Sequence, residues 1–154
     1  MTCTFFGHRD TPESVRPALR KVLTELIEKR GADEFYVGSQ GRFDAMVRGE
    51  LKKLKDSHPQ IRYAVVLAYM PGEKTLWDPL EGVETVYPAG LESTPQKFAI
   101  DKRNRIMVDW SDIVVTYVRY SWGGAAKFKS LAQRKGKEVI ELTDDEKSCQ
   151  GIFP

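Results

Sequence analysis

The sequence predicts an α/β fold, a single Rossmann-like domain with a mostly parallel sheet and helices on both faces. Three observations carry this reading. Short apolar runs alternate with stretches of helical periodicity along the chain, the pattern of strand-helix-strand units. The run 61–68 is apolar almost throughout and is bounded by turn residues, as expected of a strand covered on both sides. The glycines and polar residues suited to chemistry collect directly after the apolar runs, where open parallel sheets place their ligands.

The elements follow in order. Residues 2–6 read as a first strand, stopped at Gly7. Val15, Leu19, Val22, Leu23, Leu26 and Ile27 mark one face of a helix ending at Gly31, a suitable left-handed cap. Pro17 fits only in its first turn. Residues 34–37 form a second short strand, and Phe43, Val47, Leu51 and Leu54 form the apolar face of a second helix, with Lys52, Lys53 and Lys55 turned to water. The strand 61–68 belongs in the middle of the sheet. Between 69 and 95 the pattern lapses apart from a short strand expected at 83–87; Pro71, Pro79, Pro88 and Pro95 make this a long loop, expected to cover the site. A helix over 96–110, a strand over 113–118, a helix over 124–134 and a strand over 138–142 complete the order.

Composition excludes several classes. A chain of 154 residues, 41% hydrophobic and 30% charged, suits one domain that buries roughly 70% of its unfolded-chain surface. A net charge of +2 is too small to mark a dedicated nucleic-acid binder, so that partner class ranks low. Cys3 and Cys149 stand at opposite ends and read as reduced thiols. Neither they nor His8 and His58 have ligand spacing, so no metal is expected. No apolar run is long enough to span a membrane and no export signal is visible, so a cytoplasmic location is expected. The motifs of Walker-type NTPases, of dinucleotide-binding first turns and of the serine nucleophile elbow are absent, and no cofactor is expected.

The most informative stretch runs from Lys102 to Lys127. At 100° per residue, Ala99, Ile106, Met107 and Trp110 share one stripe with Arg103 in its middle. A guanidinium placed there needs an anion, either a protein carboxylate such as Asp44 or a ligand phosphate. Gly123-Gly124-Ala125 follows a strand and opens a helix, where bare backbone N–H groups can close around a phosphate. Lys127 in the first turn opposes the helix dipole unless an anion sits there. At the other strand ends, Gly7-His8-Arg9-Asp10 and Gly38-Ser39-Gln40-Gly41 are expected on the same edge, with Asp10 a candidate helix N-cap. Trp110 reads as core, whereas Trp77 and Trp122 lie in loops where an aromatic ring could stack on a base.

The run KRNRIMVDWSD, a strand and then GGAAK resemble the nucleotide-binding half of the SLOG superfamily, which joins the Lonely Guy phosphoribohydrolases with DNA-processing Rossmann-like proteins. With GHRD after the first strand and GSQGRFD after the second, the likeness extends over nearly the whole chain and is similar to the uncharacterised bacterial branch of that superfamily. The resemblance implies that Arg103 matches the arginine that holds a nucleoside monophosphate, with Asn104 replacing the lysine beside it. It implies that Gly123 and Gly124 match the glycines of a PGGxGTxxE loop, whose catalytic glutamate position falls here on Lys129 or Ser130. An oxocarbenium-like ribose needs a nearby negative group, for which Asp44 or Glu50 is the substitute on offer.

The expected function is therefore binding or sensing of a nucleotide or nucleotide-derived small molecule. The expected ligand contacts are Gly7, His8, Arg9, Gly38, Ser39, Gly41, Asp44, Arg103, Asn104, Gly123, Gly124, Ala125 and Lys127. The alternatives are hydrolysis of the N-glycosidic bond of a nucleoside monophosphate, with Arg103 catalytic, and single-strand nucleic-acid binding along Lys52, Lys53, Lys55, Lys127 and Lys129. The resemblance also implies a possible homodimer.

Overall fold

The computed structural model describes residues 1–69 and 83–143. Its elements are β1 (Thr2–Phe6), α1 (Arg16–Glu28), β2 (Glu34–Val37), α2 (Gly41–Ser57), β3 (Arg62–Val66), β4 (Thr85–Val86), α3 (Gln96–Trp110), β5 (Ile113–Thr116), α4 (Gly124–Arg134) and β6 (Glu138–Glu141). Short 3-10 turns at Glu13–Val15 and Leu91–Ser93 precede α1 and α3. Trp77, Pro71, Pro79 and Cys149, and with them most of the predicted covering loop, lie outside the described residues.

All strands pair in parallel, in the order β4-β3-β2-β1-β5-β6. The chain steps outward from β1 to β4, returns through α3 to the other side of β1, and adds β5 and β6. The order thus reverses between β1 and β5, and their carboxyl ends diverge into a crevice. Strand alternation divides the core. Cys3, Phe5, Phe35, Ile113 and Val115 pack against Leu19, Leu23, Phe43, Val47 and Leu51 of α1 and α2. Phe6, Val66 and Val114 point the other way, onto Met107, Val108, Phe128, Leu131 and Ala132 of α3 and α4. The central strand β1 and its neighbour β5 are buried along almost their whole length, whereas the run 61–68, expected in the middle of the sheet, forms β3 beside the edge strand β4 and is buried within the strand only from Ala64 onward.

Local chemistry explains the boundaries. Pro17 occupies the first turn of α1, where its missing N–H removes no helical bond. Beyond the helix Gly31 takes φ +73°, and the Ala32 N–H returns to the Leu26 carbonyl across it. Asp10 is not an N-cap; it lies in the turn before Thr11, whose hydroxyl donates to the His8 carbonyl at 2.6 Å. Between α1 and α2 the buried Glu50 carboxylate accepts from Arg16 (2.9 Å) and Arg20 (2.7 Å). It ties the two helices together on the face away from α3.

The stripe of α3 is turned slightly from the one the periodicity predicts. Ala99, Arg103 and Met107 are buried with Val108, whereas Ile106 is half-buried and Trp110 is exposed, packed instead on the Tyr36 ring at 5.0 Å. The row Ala99, Arg103, Met107 continues to the buried Ser111, and Trp110 stands beside that row rather than in it.

Candidate functional site

A cleft of about 310 Å³ opens at the carboxyl edge between the ends of β1, β2 and β5. Its floor is Phe5 and Phe6, the last residues of the central strand, and one wall is Ile100 and Met107 of α3. Gly7, His8 and Arg9 line it from β1, Gly38 and Asp44 from β2 and α2, Arg103 and Asn104 from α3, and Gly124 and Ala125 from α4. Nine residues chosen from the sequence thus face one concavity. The remaining four do not line it.

Those four have visible reasons. Lys127 forms an ion pair with Asp101 one helix away, which answers its charge inside the protein. Gly41 takes φ +82° and packs against the Arg9 main chain, where a Cβ would come within 2.7 Å of the Arg9 Cα; it shapes the junction of two loops. Gly123 is the N-cap of α4, at φ +95°. Ser39 is half-buried in the turn before α2, and its neighbour Gln40 lines the cleft instead. Gln40 lies in the Gly38-Ser39-Gln40-Gly41 segment expected at this edge, whereas Phe5, Phe6, Ile100 and Met107 are additions of the structure. For the phenylalanines the strand-end rule was the available signal, since the edge of β1 is also the bottom of the crevice.

Arg103 is 2% exposed, so its charge is held in a setting that strongly favours partners. Its Nε donates to the Asn104 side-chain oxygen (2.7 Å) and its Nη1 to the Val66 carbonyl (2.9 Å), which fixes the fork at the end of β3. These use two of the five N–H donors that a guanidinium carries. Burial lowers the Arg103 pKa from its ordinary value and the nearby Asp44 charge opposes that. Asp44 sits across Gly38. An added Cβ at Gly38 would lie 2.6 Å from Asp44 Oδ2 and 3.4 Å from the Arg103 guanidinium. The absent side chain therefore leaves a gap with a cation on one side and a carboxylate on the other, and the two make no direct ion pair.

Asp44 accepts the Gln40 N–H at 2.9 Å, capping α2 from within its first turn. Burial pushes its carboxyl up to about 6, against the lowering effects of Gln40, Arg103, Arg48 and Arg9. The consequence for stability has a definite sign. The native state binds this proton more tightly than the unfolded chain, so stability falls as pH rises from the ordinary aspartate range to about 6 and stays low above it. A full shift between those values corresponds to roughly 3 kcal/mol. Asp44→Asn, which keeps the oxygen that caps α2, is expected to raise stability at pH 7 by about 1–2 kcal/mol. It is also expected to flatten the decline between pH 4 and 6 in urea unfolding; an unchanged slope contradicts the assignment.

Two further groups shape the rim. His8 accepts the Arg119 N–H at Nε2 (2.9 Å), which puts the ring proton on Nδ1. Burial lowers its pKa, so the ring is neutral at pH 7. The first turn of α4 carries no acidic residue and no side-chain cap, and an added Cβ at Gly123 or Gly124 would meet nothing within 4 Å. Gly124 and Ala125 of this turn line the cleft, where the positive end of the helix dipole favours negative charge.

Fold and cleft together define a parallel α/β Rossmann-like domain with a crevice of mixed apolar and charged lining at its topological switch point. A scan against protein-family models and a search of curated proteins give no match. Among solved structures the chain is similar to DNA processing protein A (DprA) from Streptococcus pneumoniae, with a TM-score of 0.63 at 17% identity over 91% of this chain. The chain spans 49% of the length of that protein. This likeness establishes the fold. Among the described residues no helix is long and apolar enough to cross a membrane, and no group of His, Cys, Asp and Glu has the arrangement of a metal site.

Proposed function

We propose that this chain is a SLOG-type domain that binds a nucleotide or nucleotide-derived small molecule, with its phosphate between Arg103 and the first turn of α4. The observation that carries the reading is the buried guanidinium of Arg103 lining the same cleft as Gly124 and Ala125 in the first turn of α4. A fixed cation and a helix N-terminus converging on one concavity suit a phosphate, because both favour negative charge and neither must reorganise on binding. Asp44, across Gly38, would then accept hydrogen bonds from sugar hydroxyls.

The hydrolytic alternative would rest on Asp44. Lys129, at one of the positions that the resemblance gives to the glutamate, pairs with Glu141 at 3.1 Å, and Glu50 is held by Arg16 and Arg20 on the far face. Release of free base from a nucleoside monophosphate, lost in Asp44→Asn, would support it. The structural neighbour is named a DNA processing protein, and nucleic-acid binding is the second reading that its fold brings. The lysines that would form such a surface do not share a face: those of α2 and those of α4 lie on opposite sides of the sheet, which favours the small-molecule reading.

Thermal unfolding with nucleoside monophosphates and with the matching nucleosides tests the proposal. At about 100 times its dissociation constant a ligand adds about 2.7 kcal/mol, which raises the midpoint by roughly 5–10 °C for a domain of this size. Shifts with monophosphates and not with nucleosides are expected. No shift with any phosphate removes the reading.

A further inference from the structure

Asp44 is the one carboxylate among the described residues that line the cleft. It is 9% exposed, and its one hydrogen bond among those residues comes from the Gln40 N–H at 2.9 Å. An ionised carboxylate offers about four acceptor positions, so this buried group leaves most of its capacity unused. The charges around it are cations: Arg103 from α3, Arg48 from its own helix and Arg9 from the loop after β1. Two of them are engaged elsewhere. Arg48 donates to the Gly38 carbonyl at 3.2 Å, and Arg103 donates to Asn104 and to the Val66 carbonyl.

Gly38 brings the carboxylate and the guanidinium to one place. A Cβ there would lie 2.6 Å from Asp44 Oδ2 and 3.4 Å from Arg103 Nη1. An oxyanion drawn to Arg103 therefore sets one of its own oxygens against Asp44. Two bare, negatively charged oxygens repel at that range, and burial leaves the repulsion little screened. A hydrogen must lie between them. Either the ligand brings it, or Asp44 takes it from water.

We infer that Asp44 is the specificity-determining residue of the Arg103 anion site: it admits an anion only together with a hydrogen-bond donor, so the site prefers hydrogen phosphate to sulfate, and a donor-free anion enters with a proton taken up on Asp44. This rests on the phosphate reading above. The proton is within reach because burial already raises the Asp44 carboxyl to about 6. A fully ionised phosphate monoester meets the condition through a sugar hydroxyl. His8 is the other titratable group at the cleft, with Asp10, Arg119 and Glu141 around it. Its Nε2 accepts the Arg119 N–H at 2.9 Å and burial lowers its pKa, so a proton placed on that nitrogen breaks an existing bond. Asp44 is the better acceptor.

Calorimetric titration of the full chain with sodium sulfate and with inorganic phosphate tests this at pH 8. At that pH phosphate still carries a hydrogen and sulfate carries none. Each titration is run in two buffers of different ionisation enthalpy, and the difference in heat counts the protons taken up. Phosphate should bind about 10-fold or more tightly than sulfate, as expected of a buried acceptor that rejects a ligand lacking a donor. Sulfate should take up about one proton, and its affinity should rise about 10-fold for each pH unit down toward 6. Asp44→Asn, which presents an amide N–H, should bind the two anions alike with no uptake. His8→Gln should keep both the preference and the uptake. Sulfate that binds only below about pH 6, or only to Asp44→Asn, is the same preference in its extreme form. If the native protein binds both anions equally at pH 8, if sulfate binds there without proton uptake, or if the uptake is lost in His8→Gln, the role of Asp44 is wrong while the anion site stands. If neither anion binds the native protein at pH 5 or Asp44→Asn at pH 8, both fall.

Discussion

Gly7→Ala lowers the stability of this protein by about 3 kcal/mol, at the upper end of what overpacking usually costs, and disrupts the cleft as well. A Cβ at Gly7 would lie 2.7 Å from the Phe43 Cβ and closer still to its ring. Phe43 is 1% exposed and anchors the first turn of α2 in the core, so the ring cannot swing aside. The contact with its Cβ means that the helix itself must move. The shift would carry Asp44, the next residue, away from Gly38 and the Arg103 side. Thermal or urea unfolding measures the loss, expected as a midpoint roughly 6–12 °C lower. Gly124→Ala is the matched comparison: an added Cβ there meets nothing within 4 Å, so stability should hold while phosphate affinity falls.

Arg103→Met is the second change with a large expected effect. The methionine fills much of the same volume and removes the charge. Two costs follow in the folded protein: the Val66 carbonyl loses its donor, worth about 1–3 kcal/mol, and Asp44 loses its nearest opposing influence after the Gln40 N–H. The midpoint should drop by several degrees, and the carboxyl of Asp44 should titrate above about 6. For a bound phosphate the loss is larger in proportion. A charge-assisted pair contributes about 1.5–3 kcal/mol, so nucleoside monophosphate affinity should fall on the order of 10- to 100-fold. Lysine at this position should not restore it, because an ammonium cannot donate at once to Asn104, to Val66 and to a ligand in the guanidinium's fixed geometry. Calorimetric titration at pH 7 reads both variants.

Most of the architecture was legible because it depends on local periodicity. Each predicted strand and helix is present, with bounds that differ by a residue or two at strand ends. Arg103 could be placed inside because an i, i+4 stripe is a property of the helix alone. The rotation of that stripe could not be read: whether Ile106 and Trp110 are covered depends on where α3 meets β1 and α4, and strand order is a long-range property. Lys127 shows the same limit. Its position against the helix dipole was visible, but the carboxylate that answers it, Asp101, belongs to α3 and is 26 residues away in the chain. The burial of Asp44 was likewise hidden, since the second helix offered Asp44 and Glu50 as equals. Only the packing separates them, turning Glu50 to α1 and Asp44 to the cleft.

The crevice also shows how glycine sets chemistry by absence. Any side chain at Gly38 would occupy the space between a carboxylate and a guanidinium, and the two charges would lose their shared access to the cleft. Opposite charges held apart in this way are a costly arrangement for an empty fold. A ligand with both an anionic and a hydroxyl-bearing end would satisfy each.

Backbone amide NMR of the uniformly labelled chain, titrated with AMP at pH 7, tests the central claim most directly. The account predicts shifts concentrated at Gly7–Arg9, at Gly38–Gln40 and at Gly124 and Ala125, reached in Arg103→Met only at AMP concentrations on the order of 10- to 100-fold higher. Shifts confined to the lysines of α2, or none at saturating nucleotide, would contradict it.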